Sequence, residues 1–421
     1  MLGEPRIALA TFWAGTPVQK AFAGGTQRTV SPEQTLERVR PFFIDFGITR
    51  VANLTGLDTL GIPVCAAFRP NARSLAVSQG KGVDAAAARA SAVMESIEAF
   101  HAECIPAALK LGSIAELGSS LRLVDSARLA RTSASFGSAS RIFWIEGKSL
   151  CDDEEVWVPF ELVHLSFTLP ALTGSGYFVA SSNGLASGNH LLEAISHALC
   201  EVIERDAVTL WALFGEEYAN RTRLDLQTID DADVLALLNQ FEQGGVAVAV
   251  WDITSDVGVP AFSAAIIDRS PSPLHPLPHA RGMGCHPSRR IAILRALTEA
   301  AQSRLTVIAG SRDDLRQTRY RDLLDPEGQE RTRRMIADSV GVCDYRAVPT
   351  YESDTFDGDI HWLLARLRNV GLKEAIVVDL TRPEFGIPVV RVIVPGLEAM
   401  YDMPGYTPGD RVKSLVLRRA S

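Results

Sequence analysis

The chain has 421 residues, 47% of them hydrophobic, so it is a folded protein and not a mainly disordered polymer. Its 42 Lys and Arg against 50 Asp and Glu leave a net charge of −8, which speaks against a general nucleic-acid binder, because phosphate neutralisation needs a basic face. The six cysteines lie far apart with no C-x-x-C, which excludes a zinc ribbon or thioredoxin-like motif, and the apolar run 7–15 is too short to span a bilayer, so a cytoplasmic protein with reduced thiols is expected.

Residues 1–30 are broken by Gly15, Pro17, Gly24 and Gly25. Ser31-Pro32-Glu33-Gln34 then opens a helix, with Ser31 as cap, Pro32 in the first turn and Gln34 closing a capping box. That helix is expected to reach about Phe46 and stop at Gly47. Strands are expected at 48–54 and 62–68, joined by a turn at Thr55-Gly56-Leu57-Asp58. Gln79-Gly80-Lys81-Gly82 reads as a Gly-rich turn leading into a first long Ala-rich helix at 83–104. The Ser-rich stretch 110–150 suggests few elements. Asn183-Gly184-Leu185-Ala186-Ser187-Gly188 reads as a second Gly-rich turn, before a second long helix at 189–213. A helix at 230–243 is followed, after Gly244-Gly245, by strands at 246–253 and 260–268. Pro271, Pro273, Pro276 and Pro278 make 270–280 a loop. Gly282-Met283-Gly284 leads to a third long helix at 287–309. Residues 326–348 are charged and carry no clear period. A helix at 359–369 precedes strands at 372–380 and 389–394, and the tail after Pro395 is loop-like. The recurring unit of a Gly-rich segment and a long helix, covered by strands, points to an α/β architecture.

The long helices concentrate the chemistry. Ser91, Glu95 and Glu98 are spaced i, i+4, i+7 and fall within about 60° on one face of the first. On this helix alone, a solvated face is the first reading. On the second, Glu193, His197, Glu201 and Glu204 share a face within about 80°. Like charges stacked on a partly covered face need a positive partner, and clustered carboxylates suit Mg²⁺, a hard cation. Zinc fits poorly, since one histidine lies in the group. His197 reads mainly as a hydrogen-bonded partner that orients a carboxylate. The third helix places Arg295, Glu299 and Gln302 on one face, with Arg304 about 180° away, a ligand candidate only if the helix end unwinds. Arg312 follows in Gly310-Ser311-Arg312-Asp313-Asp314 and can face an anion or a surface carboxylate. Together with Lys81, these groups make a triphosphate site reasonable although no P-loop, kinase signature or G-x-G-x-x-G at a strand–helix junction is present.

Four long blocks, 47–82, 88–103, 181–207 and 286–314, resemble the YcaO domain. The resemblance covers 28–400, leaving 1–27 as an N-terminal extension and 401–421 as a C-terminal tail. It implies a YcaO-type α/β fold of mixed sheets packed with long Ala-rich helices bearing acidic faces. It also implies ATP and Mg²⁺ as cofactors, with Glu95, Glu98, Glu193, Glu201 and Glu204 on the metal. Ser91, Asn183 and Gln302 are then nucleotide contacts, with Lys81 and Arg312 carried over less directly; Arg304 stays a cofactor-binding candidate from the helix alone. Family members activate a peptide backbone amide by phosphorylation. A side-chain nucleophile of a ribosomal peptide gives an azoline, and external sulfide gives a thioamide. The ending MPGYTPGDRVKSLVLRRAS lacks the PxPxP tail of azoline formers, and residues 1–30 are too short for their leader-binding partner domain. The block RTVSPEQTLERVRPFFIDFGITR and the PGLE…PGDR ending resemble members that act with a TfuA-type partner. Thioamide formation from a sulfide donor, on a peptide or protein substrate and by a homodimer, is therefore the first expectation. An azoline-forming cyclodehydratase is the alternative, and a non-catalytic scaffold is the third reading. No residue stands out as a general base; His197 and His286 are nominees.

Overall fold

The computed structural model describes residues 16–270, 277, 279–315, 317–337 and 340–420, so most of the expected loop at 270–280 lies outside the described residues. The described residues divide into two compact units, one drawn from 16–20, 101–213 and 353–420, the other from 21–100 and the described part of 214–352.

In the second of these, a short antiparallel pair, Phe22–Ala23 and Gln27–Arg28, precedes the helix Pro32–Val39, where the Ser31 hydroxyl accepts from Gln34 N and the Gln34 side chain accepts from Ser31 N. The α-helix ends at Val39 and not near Phe46, because Pro41 has no N–H to continue the ladder; the chain goes on as a 3-10 turn, Arg40–Phe42. Three antiparallel strands follow, Arg50–Asn53, Val64–Phe68 and Val77–Lys81, and then the first long helix, Ala85–Glu103. The same plan recurs as Val246–Asp252, Ala261–Asp268 and Ala280–Cys285, followed by the third long helix, Arg289–Ala309.

Two segments expected as Gly-rich turns are thus strands, wholly or in part. Their glycines serve close approach. A Cβ on Gly80 would sit 2.0 Å from Ala92 N and 2.4 Å from Ala88 O, and one on Gly284 would sit 2.1 Å from Ala292 O. Each strand therefore lies against the main chain of the helix that follows it.

Alternation along Val64–Phe68 explains the layering. Cys65 and Ala67 pack on Ala88 and Ala92 of the first long helix. Val64 and Ala66, on the opposite face, pack with Leu305 of the third. The third helix also buries Ala292, Ala296 and Ala300 in the core of the second sheet, with Val234, Leu237 and Phe241 from the helix Ala232–Gln243.

The other unit is built on a six-stranded sheet. Its path runs Leu109–Gly112, Ile142–Ser149, Ile376–Asp379, Val389–Ile393 and Leu185–Ser187, and Glu155–Pro159 pairs with the second of these. The second long helix, Leu191–Leu213, packs on Leu185–Ser187, on Val389–Ile393 and on the helix Phe356–Asn369. Here too the expected Gly-rich turn holds a strand, Leu185–Ser187, and Gly184 takes a φ of 78° that lets its carbonyl accept from Val392 N.

Residues 326–337, left unplaced by the sequence, form the helix Pro326–Ala337. The tail is not all loop either: Asp410–Ala420 is helical. All six cysteines are unpaired. Among the described residues, no helix is long and apolar enough to cross a membrane.

Candidate functional site

In the unit built on the six-stranded sheet, candidate residues gather on the second long helix and the strand ends beneath it. Glu193 is 2% and Glu204 4% exposed, whereas His197 and Glu201 are half-buried. Their burial follows from the helix period, since Leu192, Ile195, Leu199 and Ile203 on adjoining stripes are core residues. Arg205 lies 3.4 Å from Glu204 Oε1 and 3.8 Å from Glu201 Oε1, and the Asn189 amide donates to Glu193 Oε1 at 3.4 Å. Glu193 also occupies the first helical turn, where the helix dipole favours a carboxylate.

Asn183 sits just before the strand Leu185–Ser187, whose register pairs Leu185 with Arg391. Its backbone N–H donates to Ser181 Oγ, and its buried Oδ1 has no partner among the described residues. Arg391 was not singled out in the sequence. The signal was there: one arginine inside the apolar run Val389-Val390-Arg391-Val392-Ile393.

In the other unit, Ser91 and Glu98 are half-buried and Glu95 is exposed on the first long helix. Lys81 extends from the strand Val77–Lys81 to an ion pair with Glu299 of the third long helix, and Glu299 Oε1 accepts from Met283 N at 3.2 Å. Gln302, one turn on, donates to Gln79 O at 3.1 Å. Gln79 also meets Thr306 through its side chain. Arg312 binds Asp314 (Nε to Oδ1, 2.9 Å), and that hydrogen bond, followed by the charges of Asp314 and Glu95, holds its pKa up against burial. Lys81, Glu299 and Gln302 therefore form one group, and Arg312 lies within electrostatic reach of Glu95. Glu299 was seen on the helix face but not chosen as a candidate; its pairing with Lys81 needs the fold.

Two candidates are drawn elsewhere. Arg304 is buried between Asp58 (3.2 Å) and Asp268 (2.9 Å), and the third helix runs unbroken through it to Ala309. The unwinding that would turn it toward the other candidates does not occur, so its charge is taken up by these two carboxylates. His286 is buried and its Nδ1 accepts from Ser288 N at 3.0 Å, ahead of the third helix. That bond commits one ring nitrogen to the backbone.

The donor set suits a hard cation, since the acidic faces offer carboxylate oxygens and Asn183 adds a neutral one. Among the described residues, no three His, Cys, Asp or Glu side chains converge on one point that could hold a metal ion. Mg²⁺ is commonly held by one or two carboxylates together with water and ligand phosphates, which asks for less convergence than an all-protein cage.

Comparison with known proteins agrees with this chemistry. Residues 79–398 match a family model described as YcaO cyclodehydratase, ATP- and Mg²⁺-binding. An uncharacterized protein encoded in the tfuA 3′ region of Rhizobium leguminosarum bv. trifolii is 39% identical over 384 residues, 88% of each chain. An uncharacterized protein of Methanothermobacter thermautotrophicus is 37% identical over 398 residues, 92% of this chain and 99% of that one. Among solved structures, the YcaO protein of Methanopyrus kandleri bound with AMPPCP and Mg²⁺ superposes with a TM-score of 0.73 at 24% identity, over 93% of this chain and 98% of that one. A heterocyclase in complex with substrate and cofactor superposes with a TM-score of 0.79 at 23% identity, over 96% of this chain; the chain spans 56% of that longer protein.

Proposed function

The chain belongs to the YcaO family of ATP-dependent, Mg²⁺-binding, peptide-modifying enzymes, and from that premise we propose that it activates a peptide backbone amide to install a thioamide, with a sulfide donor and a TfuA-type partner protein. The observation that supports this most is the pair of acidic helix faces, with Glu193 and Glu204 buried on the second long helix. Clustered carboxylate oxygens on a covered face suit a hard divalent cation, and a triphosphate brings one with it.

In this reading Glu95, Glu98, Glu193, Glu201 and Glu204 hold Mg²⁺, which when bound neutralises charge on the phosphates. Ser91, Asn183 and Gln302 orient the nucleotide. Lys81 and Arg312 face its phosphates, and the incoming anion competes with Glu299 and Asp314 for them. Hydrosulfide adds to the amide carbonyl carbon, and the carbonyl π electrons move to oxygen. The resulting oxyanion takes the γ-phosphoryl group as ADP leaves, and loss of the S–H proton to water with departure of phosphate forms the carbon–sulfur double bond. The protein's share is positioning and charge neutralisation, as in other phosphoryl transfers. His197 stands in the acidic face, where it can orient a carboxylate or hold a proton. The tfuA-region relative favours the thioamide branch.

The test is product mass from a candidate peptide with ATP, Mg²⁺, sulfide and the partner. Exchange of oxygen for sulfur adds mass and requires sulfide. Loss of water without any need for sulfide would instead establish the azoline branch.

A further inference from the structure

Arg391 lies in the middle of the strand Val389–Ile393, 2% exposed, between buried valines and an isoleucine. Its guanidinium donates from Nη2 to the Ser181 carbonyl at 2.6 Å; among the described residues Nε and Nη1 have no partner. Burial pushes its pKa down to about 10, opposed by the charge of Glu201. A guanidinium held this way is under-compensated, and such a group is retained at a cost. Beside it is a cavity of about 60 Å³, lined by Ser181, Asn183, Val202, Arg391 and Glu398 among others. One water needs roughly 10–15 Å³ by the same measure, so several oxygen atoms fit.

Neither carboxylate at hand hydrogen-bonds the guanidinium, and Glu201 compensates its charge only through space. Glu398 is committed to Tyr406 Oη, Gly409 N and Val412 N. Glu201 has Arg205 at 3.8 Å. Asn183 brings a second unsatisfied group, and a half-turn of its amide presents the NH₂ in place of Oδ1. Water can accept from Nε and Nη1 but cannot balance the charge.

We propose that Arg391 and Asn183 form a buried subsite for a phosphoryl oxyanion, next to the acidic face of the second long helix. The fork of guanidinium N–H groups matches such an oxyanion, and a bound phosphoryl group supplies the missing negative charge. The proposal rests on the nucleotide reading above where the oxyanion is that of ATP; the same chemistry accepts the inorganic phosphate that the reaction releases.

The experiment is calorimetric titration of the full-length protein with Mg-ATP and, separately, with inorganic phosphate, on wild type, Arg391→Met and Asn183→Asp, with the thermal midpoint of each ligand-free protein. Arg391→Met removes the charge and keeps length and apolar bulk. It is expected to keep or raise the midpoint while affinity falls about ten- to a hundredfold. Asn183→Asp sets a like charge against the oxyanion and is expected to weaken binding in the same direction, which tests the subsite if Arg391→Met does not fold. Loss of Mg-ATP affinity alone identifies the nucleotide's phosphoryl group, and loss of phosphate affinity identifies the free ion. Wild type that binds phosphate through Arg391 but binds no Mg-ATP would keep the subsite and remove the nucleotide reading. Wild-type affinities for both ligands in the variants, with a lowered midpoint in Arg391→Met, would overturn the subsite and make Arg391 a structural residue.

Discussion

Replacing Arg411 with alanine should unfasten the C-terminal helix from the second long helix. Asp206, 0% exposed and two residues beyond Glu204, receives Arg411 Nε at 2.8 and 3.0 Å and Glu398 N at 3.1 Å. Burial raises the Asp206 carboxyl to about 6, with Arg411 the largest opposing influence, so it is ionised at neutral pH. Arg411→Ala then leaves a buried carboxylate without its counter-charge, a change that costs about 3–5 kcal/mol. Asp206→Asn in the same chain removes the stranded charge and keeps an acceptor for Glu398 N, so the double variant should recover about half of the loss. Urea unfolding at neutral pH, followed by tryptophan fluorescence, measures both. A loss below about 1 kcal/mol in Arg411→Ala, or no recovery in the double variant, would refute the reasoning that a buried pair anchors the tail.

Gly80→Ala should cost about 3 kcal/mol or prevent soluble accumulation, because the new methyl meets main-chain atoms of Ala92 and Ala88 that cannot turn aside; Gly56→Ala, with nothing within 4 Å, should stay within about 0.5 kcal/mol of wild type in the same unfolding assay. Asp252→Asn should stabilise the protein at neutral pH and do so less as the pH falls. Burial raises the Asp252 pKa, so the stability linked to it is present below the ordinary carboxylate range and is lost as pH rises through the raised value. Asparagine keeps the acceptor for Thr254 N, and thermal midpoints taken from acid to neutral pH read the difference.

The three long helices were legible because their signals are local. Their observed spans, Ala85–Glu103, Leu191–Leu213 and Arg289–Ala309, lie close to those expected from period and composition. The Ser31–Gln34 capping box was readable for the same reason. Glycine misled where its use was tertiary. In Val77–Lys81 and Ala280–Cys285 it marks a strand pressed on a helix backbone, and sequence alone reads such glycines as turns. The helix Asp410–Ala420 was missed because part of what holds it, Asp206, stands 205 residues away from Arg411. The candidate carboxylates announced themselves by spacing along single helices. Arg391 did not, because its meaning depends on what the fold fails to pair with it. Arg304 shows the converse: a charge that looked available is absorbed by Asp58 and Asp268, two partners far apart in sequence.

The central claim is that the buried acidic face of the second long helix serves Mg-ATP. The most direct test is calorimetric titration of Mg-ATP into wild type and Glu204→Gln, each with and without Mg²⁺. Glutamine keeps the shape of the 4%-exposed side chain and removes its charge. The account predicts binding that requires Mg²⁺ and weakens at least about tenfold in a folded Glu204→Gln protein. Equal binding by the variant, or binding by wild type that ignores Mg²⁺, would contradict it.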